Sequence, residues 1–259
     1  MRRLVKVLSL ISLVFLSNSP LLAQDDVSDL RRTMDDLLQN QQNMNRELSE
    51  IKALLSKLPA MPSNNQPPNI NVKDVEFDIG DNPVLGSGSA RLILVEFTDY
   101  ECPFCSRYVK ETFPQILQEY VDKDILRYTV IDQPLPMHPN AEKAAQAASC
   151  AADQGKYWEI HKLMMTQQDS LNDLSFYARS LDLNIPGFEK CLTADKYRER
   201  VQTNMALARR LGITGVPGFV IGLIDTQNPG SVKGISSIRG AMPFPSFQKE
   251  IEAAISANK

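Results

Sequence analysis

The sequence predicts an α/β domain preceded by a separate helical stalk, and three observations carry that prediction. Strand-like and helical segments alternate from about residue 73 to the end of the chain. A Cys-x-x-Cys motif, Cys102 to Cys105, stands where an apolar strand gives way to a helical pattern. Before this domain, hydrophobic residues recur at steps of three and four over more than four heptads. We therefore expect helices around a small mixed sheet, preceded by an N-terminal coiled-coil helix.

Residues 1–23 have the features of a secretory signal peptide. Three basic residues precede an apolar stretch, Val7 to Leu16, and a small residue, Ala23, ends the segment. The stretch is shorter than the about 20 residues of a membrane span, and a retained N-terminal anchor is the alternative. Cleavage would move the formal charge from −3 to −6, because it removes three basic and no acidic residues. Export indicates the bacterial periplasm, where disulfides persist, and the acidic mature chain argues against a nucleic acid partner.

Residues 24–58 are predicted to form a coiled-coil oligomerisation helix. With Val27 at heptad position a, nine of the ten a and d positions are apolar, and Gln41 is the polar exception. These positions are Val27, Leu30, Met34, Leu37, Gln41, Met44, Leu48, Ile51, Leu55 and Leu58. The alternative is an amphipathic helix that folds back onto its own domain. The heptads predict a homo-oligomer through residues 27–58 and leave the number of chains open.

A Pro-rich linker, residues 59–72, is predicted to separate the stalk from the α/β domain at residues 73–259. The domain contains a helical insertion at about residues 139–205. The expected strands are Val75–Ile79, Leu92–Thr98, Leu126–Ile131, Gly218–Ile221 and Val232–Ile238, and the expected helices are Ser106–Tyr120, Asn140 to about Leu211, and Phe247–Ala257.

The Cys102–Cys105 pair is predicted to be a redox dithiol. Cys102 would cap the helix, where free backbone N–H groups and the helix dipole favour an exposed thiolate, and Pro103 suits the first helical position. Cys105 would be the more buried, resolving thiol. The alternatives are a structural disulfide or half of a zinc site. Because Cys150, Cys191 and the two histidines lack the spacing of zinc ligands, no metal is expected, and a dithiol needs no diffusible cofactor.

The other two cysteines are expected to form a structural disulfide. Four cysteines allow three pairings, and the redox pair leaves Cys150 with Cys191. This bond would close a loop of about 40 residues, and a pair of buried free thiols is the alternative. His138 is expected to cap or pack near the start of the inserted helices, and His161 to pack inside a helix.

Four segments resemble the DsbA-like, thioredoxin-fold periplasmic thiol:disulfide oxidoreductases with an inserted helical domain. The segments are Val95–Cys105, Ala141–Leu163, Phe188–Leu192 and Gly212–Phe219. The resemblance covers about residues 73–257. It implies a protein thiol:disulfide oxidoreductase whose partners are secreted proteins with thiols or disulfides and a membrane redox partner. The stalk looks like the oligomerising extensions of some members that shuffle disulfides.

The resemblance also implies roles for residues around the dithiol. Val216-Pro217 resembles the cis-proline dipeptide that faces the two cysteines, and its backbone edge would receive an extended substrate strand. Glu96 stands where the family places an acid that accepts the proton of the resolving cysteine, and the alternative is a Glu96 side chain in solvent. Phe104 occupies a position where strongly oxidising members carry His, so weaker oxidising power is expected.

Together these features predict disulfide isomerase activity on secreted proteins through a mixed disulfide at Cys102. Several active sites on one particle would raise the local thiol concentration. An oxidase that donates its disulfide is the alternative, which Val216 favours because many oxidases carry Val there. A noncatalytic chaperone or metal-handling scaffold, or a stalk protein with an inert dithiol, would need the pair to be unreactive.

Overall fold

The structure is a computed structural model that describes residues 21–57, 71–225 and 227–258. The chain divides into two units, Met1–Pro67 and Pro68–Lys259. Most of the predicted signal peptide, residues 1–20, the last residue of the predicted coiled-coil helix, Leu58, and most of the predicted linker, residues 59–70, lie outside the described residues. Within the described ranges, no helix is both long enough and apolar enough to cross a membrane.

The first unit contains one long helix, α1, which runs over Leu21–Lys57. Its side chains are described from residue 28 to residue 52, and every one of them is exposed. The exposed apolar side chains follow the heptad pattern apart from Leu38, and each is between 50% and 63% exposed. They are Leu30, Met34, Leu37, Leu38, Met44, Leu48 and Ile51, and we call this set the α1 stripe.

The second unit is built on a six-stranded sheet in the order β1-β6-β5-β3-β4-β2. The strands are β1 Glu76–Asp78, β2 Val84–Leu85, β3 Leu92–Thr98, β4 Leu126–Asp132, β5 Gly218–Ile224 and β6 Ser231–Arg239. β3 pairs parallel with β4 and antiparallel with β5. The sheet is mixed, as predicted, and β2 is an additional short edge strand that the sequence did not indicate.

β3 lies inside the sheet, and all seven of its residues are buried. Its alternate side chains enter two different cores. Leu92 and Leu94 pack on one face with helices of the insertion, whereas Ile93, Val95 and Phe97 pack on the opposite face. Burial on both faces explains why this strand reads as a nearly continuous apolar run rather than an alternating one. The single charged side chain in that run, Glu96, is therefore buried as well.

The helices of this unit begin with α2, Pro103–Glu111, and α3, Phe113–Ile116, which a π-helical turn at Leu117–Val121 extends. A single helix was expected from Ser106 to Tyr120, and this prediction is wrong in its continuity. Pro114 has no N–H to donate to the carbonyl four residues before it, and the helix breaks at Thr112, whose hydroxyl donates to Met242 O.

The remaining helices are α4 Ala141–Ala152, α5 Tyr157–Thr166, α6 Leu174–Ser180, α7 Ile185–Thr193, α8 Arg198–Arg210 and α9 Phe244–Ala257. The first five lie between β4 and β5 and form the helical insertion. Cys150 of α4 and Cys191 of α7 are joined by a disulfide, with a Cα–Cα distance of 5.9 Å. The end of α8 packs on the opposite face of the sheet through Leu207 and Ala208.

Candidate active site

The two cysteines of the motif lie at the carboxyl end of β3, where the chain turns into α2. Cys102 is the N-cap residue of α2, and Pro103 is the first residue of the helix. Both thiols are free. Cys105 is fully buried, and Cys102 is only 4% exposed. The expectation of an exposed Cys102 is therefore wrong, because the Val216 carbonyl contacts its sulfur.

The environment of the dithiol makes the two thiols chemically different. A hydrogen bond from Cys105 and the backbone N–H groups at the start of α2 favour the Cys102 thiolate and lower the pKa of Cys102 to about 6, although burial opposes this effect. Burial, the shared hydrogen bond and the nearby Glu96 raise the pKa of Cys105. Cys102 is thus the thiol that ionises more readily, and Cys105 remains protonated.

The Val216-Pro217 peptide bond is cis and lies beside Cys102. The Cys102 thiol donates to the Val216 carbonyl, with an Sγ–O distance of 3.8 Å. Gly218, which follows, begins β5 and approaches Ile213 so closely that a Cβ atom at this position would lie 2.8 Å from Ile213 Cγ2. The dipeptide therefore stands beside the dithiol, as the resemblance implied, with one backbone carbonyl at the Cys102 sulfur.

Glu96 is fully buried beneath the dithiol. Tyr128 donates a hydrogen bond to its Oε2 atom, and Oε1 has no hydrogen-bond partner among the described residues. Burial raises the pKa of Glu96 to about 7, against the opposing effects of the Tyr128 hydrogen bond and of the nearby Thr98 hydroxyl. A carboxyl group that titrates near neutral pH can both accept and release a proton, and its charge acts on Cys105. The alternative of a solvent-facing Glu96 is excluded.

Phe104 projects from the motif, and its side chain is 56% exposed. The Arg107 guanidinium lies 5.4 Å from the centre of the Phe104 ring and also donates to Ala241 O at 3.2 Å. A cation on the ring face attracts the aromatic quadrupole. Phe104 itself carries no charge, but Arg107, which the sequence analysis did not single out, brings one to this surface.

Two carboxylates just before the motif hold the loop between β4 and α4. Asp99 accepts from the Leu135 backbone N–H at 2.7 Å and from His138 Nδ1 at 2.8 Å. Glu101 accepts from both the backbone N–H and the side-chain amide of Asn140. His138 lies near the start of the inserted helices, where its carbonyl accepts from the Ala141 N–H at 3.3 Å, and its ring faces Asp99, three residues before Cys102.

Gln168, from a short turn between α5 and α6, reaches the active site from the insertion. Its amide donates to the carbonyls of Tyr100, at 2.6 Å, and of Cys102, at 3.1 Å. The Cys102 carbonyl also accepts the first hydrogen bond of α2, from Ser106 at 3.1 Å. No local motif surrounds Gln168 in the sequence, so only its position in the fold shows this contact.

A second buried carboxyl group, Asp132, ends β4. Its Oδ1 atom has no hydrogen-bond partner among the described residues, and burial raises its pKa to about 7.

His161, expected to be structural, is buried with its Nδ1 atom 3.0 Å from the Tyr100 hydroxyl, and burial lowers its pKa to about 4. Within the described ranges, no cluster of three or more His, Cys, Asp or Glu side chains could hold a metal ion.

Comparison with known proteins agrees with this geometry. Residues 78–238, more than half of the chain, match the protein family described as Thioredoxin. The chain belongs to this family. The crystal structure of Wolbachia pipientis alpha-DsbA1 superimposes with a TM-score of 0.60 at 24% identity, covering 71% of this chain and 97% of that one. At this identity the likeness concerns the fold.

Two sequence relatives are matched over only part of their length. The Na(+)/H(+) antiporter NhaA 3 of Salinispora tropica is 32% identical over 166 residues, which are 63% of this chain and 25% of the antiporter. A Rickettsia prowazekii protein named "Putative protein-disulfide oxidoreductase" is 29% identical over 170 residues, 62% of each chain. This chain thus spans about a quarter of the antiporter and less than two thirds of the Rickettsia protein.

Proposed function

We propose that this protein is a thiol:disulfide oxidoreductase that exchanges disulfides with exported proteins through a mixed disulfide at Cys102. One observation carries the proposal: a thiol with a pKa of about 6 caps a helix beside the carbonyl of a cis-proline dipeptide. The thiolate is the attacking species in disulfide exchange. The backbone edge at Val216 offers an extended client segment a place next to the sulfur.

The reaction follows from the difference between the two thiols. The Cys102 thiolate attacks a client disulfide, a new S–S bond joins Cys102 to the client, and the other client sulfur leaves as a thiolate. Cys105 then gives its proton to the Glu96 carboxylate and attacks the Cys102 sulfur, which releases the client as a thiolate and leaves a Cys102–Cys105 disulfide. In isomerisation, a second client thiolate attacks the mixed disulfide instead. Neither route needs a diffusible cofactor.

The α1 stripe supports isomerase activity in an oligomer of this chain. Its apolar side chains lie on a helix with heptad spacing, and a second copy of the same helix would cover them. Joining several dithiols in one particle keeps a second thiolate near a mispaired client. Oligomerisation can also keep a membrane oxidase from reaching the dithiol sterically, so the pair stays reduced.

Oxidase activity is the second candidate, and the pKa of Cys102 favours it. A stabilised thiolate stabilises the reduced form of the dithiol, which makes the corresponding disulfide a stronger oxidant. Such an oxidase would be reoxidised by a membrane redox partner. The predicted signal peptide and the Cys150–Cys191 disulfide support a periplasmic location for either activity.

The test is refolding of scrambled ribonuclease by the purified mature protein, compared with a variant whose stripe is interrupted. Leu37→Glu with Leu48→Glu places charges in the stripe, and Gln39→Glu with Ser49→Glu places the same charges on the other face of α1. An oligomeric isomerase should repair scrambled ribonuclease as the wild type and as the control variant, but not as the stripe variant.

Other outcomes separate the alternatives. If all three proteins oxidise reduced ribonuclease and none repairs the scrambled form, the protein is an oxidase. If Cys102→Ser with Cys105→Ser retains the function of the wild type in cells, the dithiol is inert and the noncatalytic scaffold is the better description. Light scattering of the same variants reports whether the stripe joins chains.

A further inference from the structure

Tyr128 lies at the centre of β4 with its whole side chain buried. Its ring packs between Phe113 of α3, with 4.4 Å between ring centres, and Trp158 of α5, with 5.8 Å between ring centres. Aromatic contacts from both the thioredoxin core and the insertion therefore hold the ring in one orientation. The hydroxyl group then has a defined direction, and it points at Glu96.

The hydrogen bond between these two residues is the only one that geometry assigns to the Glu96 carboxyl group among the described residues. Tyr128 donates to Oε2, and Oε1 has no partner. β4 runs parallel to β3 in register, with Glu96 opposite Val130, so Tyr128 reaches the carboxyl group from the neighbouring strand. A donor to a buried carboxylate stabilises its charged form more than its neutral form.

We propose that Tyr128 is the positioning residue that holds Glu96 in its carboxylate form, ready to take the proton of Cys105 when the mixed disulfide is resolved. The proposal rests on the function proposed above and adds a residue to its second step. Tyr128 touches neither the client nor the sulfurs, and it acts through Glu96.

Several titratable groups face Glu96, and Tyr128 is the one that donates directly to it. The Cys102 thiolate raises the pKa of Glu96 by its charge. In the mixed disulfide this thiolate is absent, so Glu96 is a carboxylate more often when Cys105 must lose its proton. The groups that interact electrostatically with Glu96 are Cys102 and Cys105 near the start of α2, Tyr108 within α2, Tyr100 before it, Tyr128 on β4 and Tyr157 on α5.

Replacing Tyr128 by phenylalanine removes the donor and keeps the ring between Phe113 and Trp158. Glu96, whose pKa is about 7, is about half ionised at pH 7. Loss of the donor raises this pKa, and a rise of about one pH unit leaves about a tenth of Glu96 as carboxylate at pH 7. The resolving step should then be roughly fivefold slower at pH 7 and unchanged well above the new pKa.

Reaction with the aromatic disulfide 5,5′-dithiobis(2-nitrobenzoate) separates the two steps on the full-length mature protein. The first thionitrobenzoate is released when Cys102 attacks the reagent, and the second is released when Cys105 attacks the mixed disulfide. Tyr128→Phe should slow the second phase and shift its pH midpoint upward by about one unit, while the first phase keeps its rate. Tyr177→Phe is the matched control, because Tyr177 is equally buried and its hydroxyl donates to Gln167 O and not to Glu96.

Infrared titration of the carboxylic acid band, assigned by its loss in Glu96→Gln, measures the Glu96 pKa without any activity. A band that titrates at the same pH in Tyr128→Phe and wild type refutes the proposal, and so does an equal shift in Tyr177→Phe. If the band shifts in Tyr128→Phe alone but the wild-type protein neither repairs nor oxidises ribonuclease, Tyr128 sets the Glu96 charge and it is the proposed function that fails.

Discussion

Replacing Cys105 by alanine tests what holds Cys102 as a thiolate. Two sources favour the charged sulfur: a hydrogen bond from the Cys105 thiol, which has the larger effect, and the backbone N–H groups of Phe104 and Cys105 at the start of α2. Alanine removes the first source and keeps the second. Burial opposes the thiolate in both proteins, but the variant has lost the larger of the two favourable effects. The variant should therefore have a higher Cys102 pKa than the wild type.

The expected rise in the Cys102 pKa lies between two limiting pKa values, that of the wild type and that of an ordinary cysteine. At a pKa of about 6, about nine tenths of Cys102 is thiolate at pH 7. A complete return to an ordinary cysteine, with a pKa of about 8.5, would leave about 3%. Since the helix N–H groups remain, we expect a value between these limits, near 8, and roughly tenfold less thiolate at pH 7 than in the wild type.

The assay is titration of the thiolate ultraviolet absorbance from about pH 4 to about pH 10, with Cys102→Ser with Cys105→Ser as the blank. The absorbance is preferable to an alkylation rate, because a thiolate of higher pKa is also intrinsically more nucleophilic and partly compensates for its lower abundance. Cys105→Ser is the matched control. Its hydroxyl keeps a donor in the same place, so its midpoint should lie between those of the wild type and Cys105→Ala.

A midpoint in Cys105→Ala that stays at the wild-type value would refute this reasoning. The helix N-terminus alone would then account for the low pKa, and the hydrogen bond between the two sulfurs would add nothing measurable. A midpoint in Cys105→Ser as high as that in Cys105→Ala would show instead that a hydroxyl does not replace the thiol as a donor.

Three further changes test the surroundings of the site. Cys150→Ala with Cys191→Ala should lower the free energy of unfolding by about 4 kcal/mol in urea denaturation, because the bond closes a loop with a sequence separation of 41; a loss below about 1 kcal/mol contradicts the loop-closure argument. Gln168→Ala removes one of the two donors to the Cys102 carbonyl and should raise the Cys102 pKa, and an unchanged thiolate titration would limit Gln168 to packing. Burial raises the pKa of Asp132 to about 7 in the folded state, from about 3.9 in the unfolded chain. The contribution of Asp132 to the free energy of unfolding is therefore complete below about pH 4 and is lost as the pH rises to about 7. Asp132→Asn should therefore gain stability relative to the wild type between about pH 5 and about pH 8, and parallel pH profiles of the two urea midpoints would contradict this.

The sequence was sufficient for the parts of the site that depend on local geometry. A proline directly after Cys102 can start a helix but not continue one, so the cysteine becomes the cap whatever the rest of the chain does. The long apolar run that precedes the motif, Leu92 to Thr98, is typical of an interior strand. These local rules predicted the positions of Cys102 and Cys105, whereas the buried Glu96 was expected from the family resemblance, with a solvent-facing side chain as the alternative.

Other parts of the site depend on contacts between residues that are distant in the chain. Tyr128 and Gln168 reach the site from β4 and from the insertion, and neither carries a sequence pattern that distinguishes it from a core tyrosine or a surface glutamine. His138 is separated from Asp99 by 39 residues, and its role depends on how the loop before α4 folds over the start of α2. Sequence periodicity indicates which face of an element is buried, but not which neighbour it meets.

The sequence by itself determined that this chain has a heptad helix, a mixed α/β domain and a capped dithiol, because propensity, periodicity and proline geometry act over a few residues. Only the tertiary structure decided that Cys102 is covered, that a tyrosine rather than a charged group donates to Glu96, and that the insertion reaches the active site through Gln168. These features result from packing elements with different side-chain shapes against one sheet. A hydrogen bond a few ångströms long depends on where every one of those elements lies.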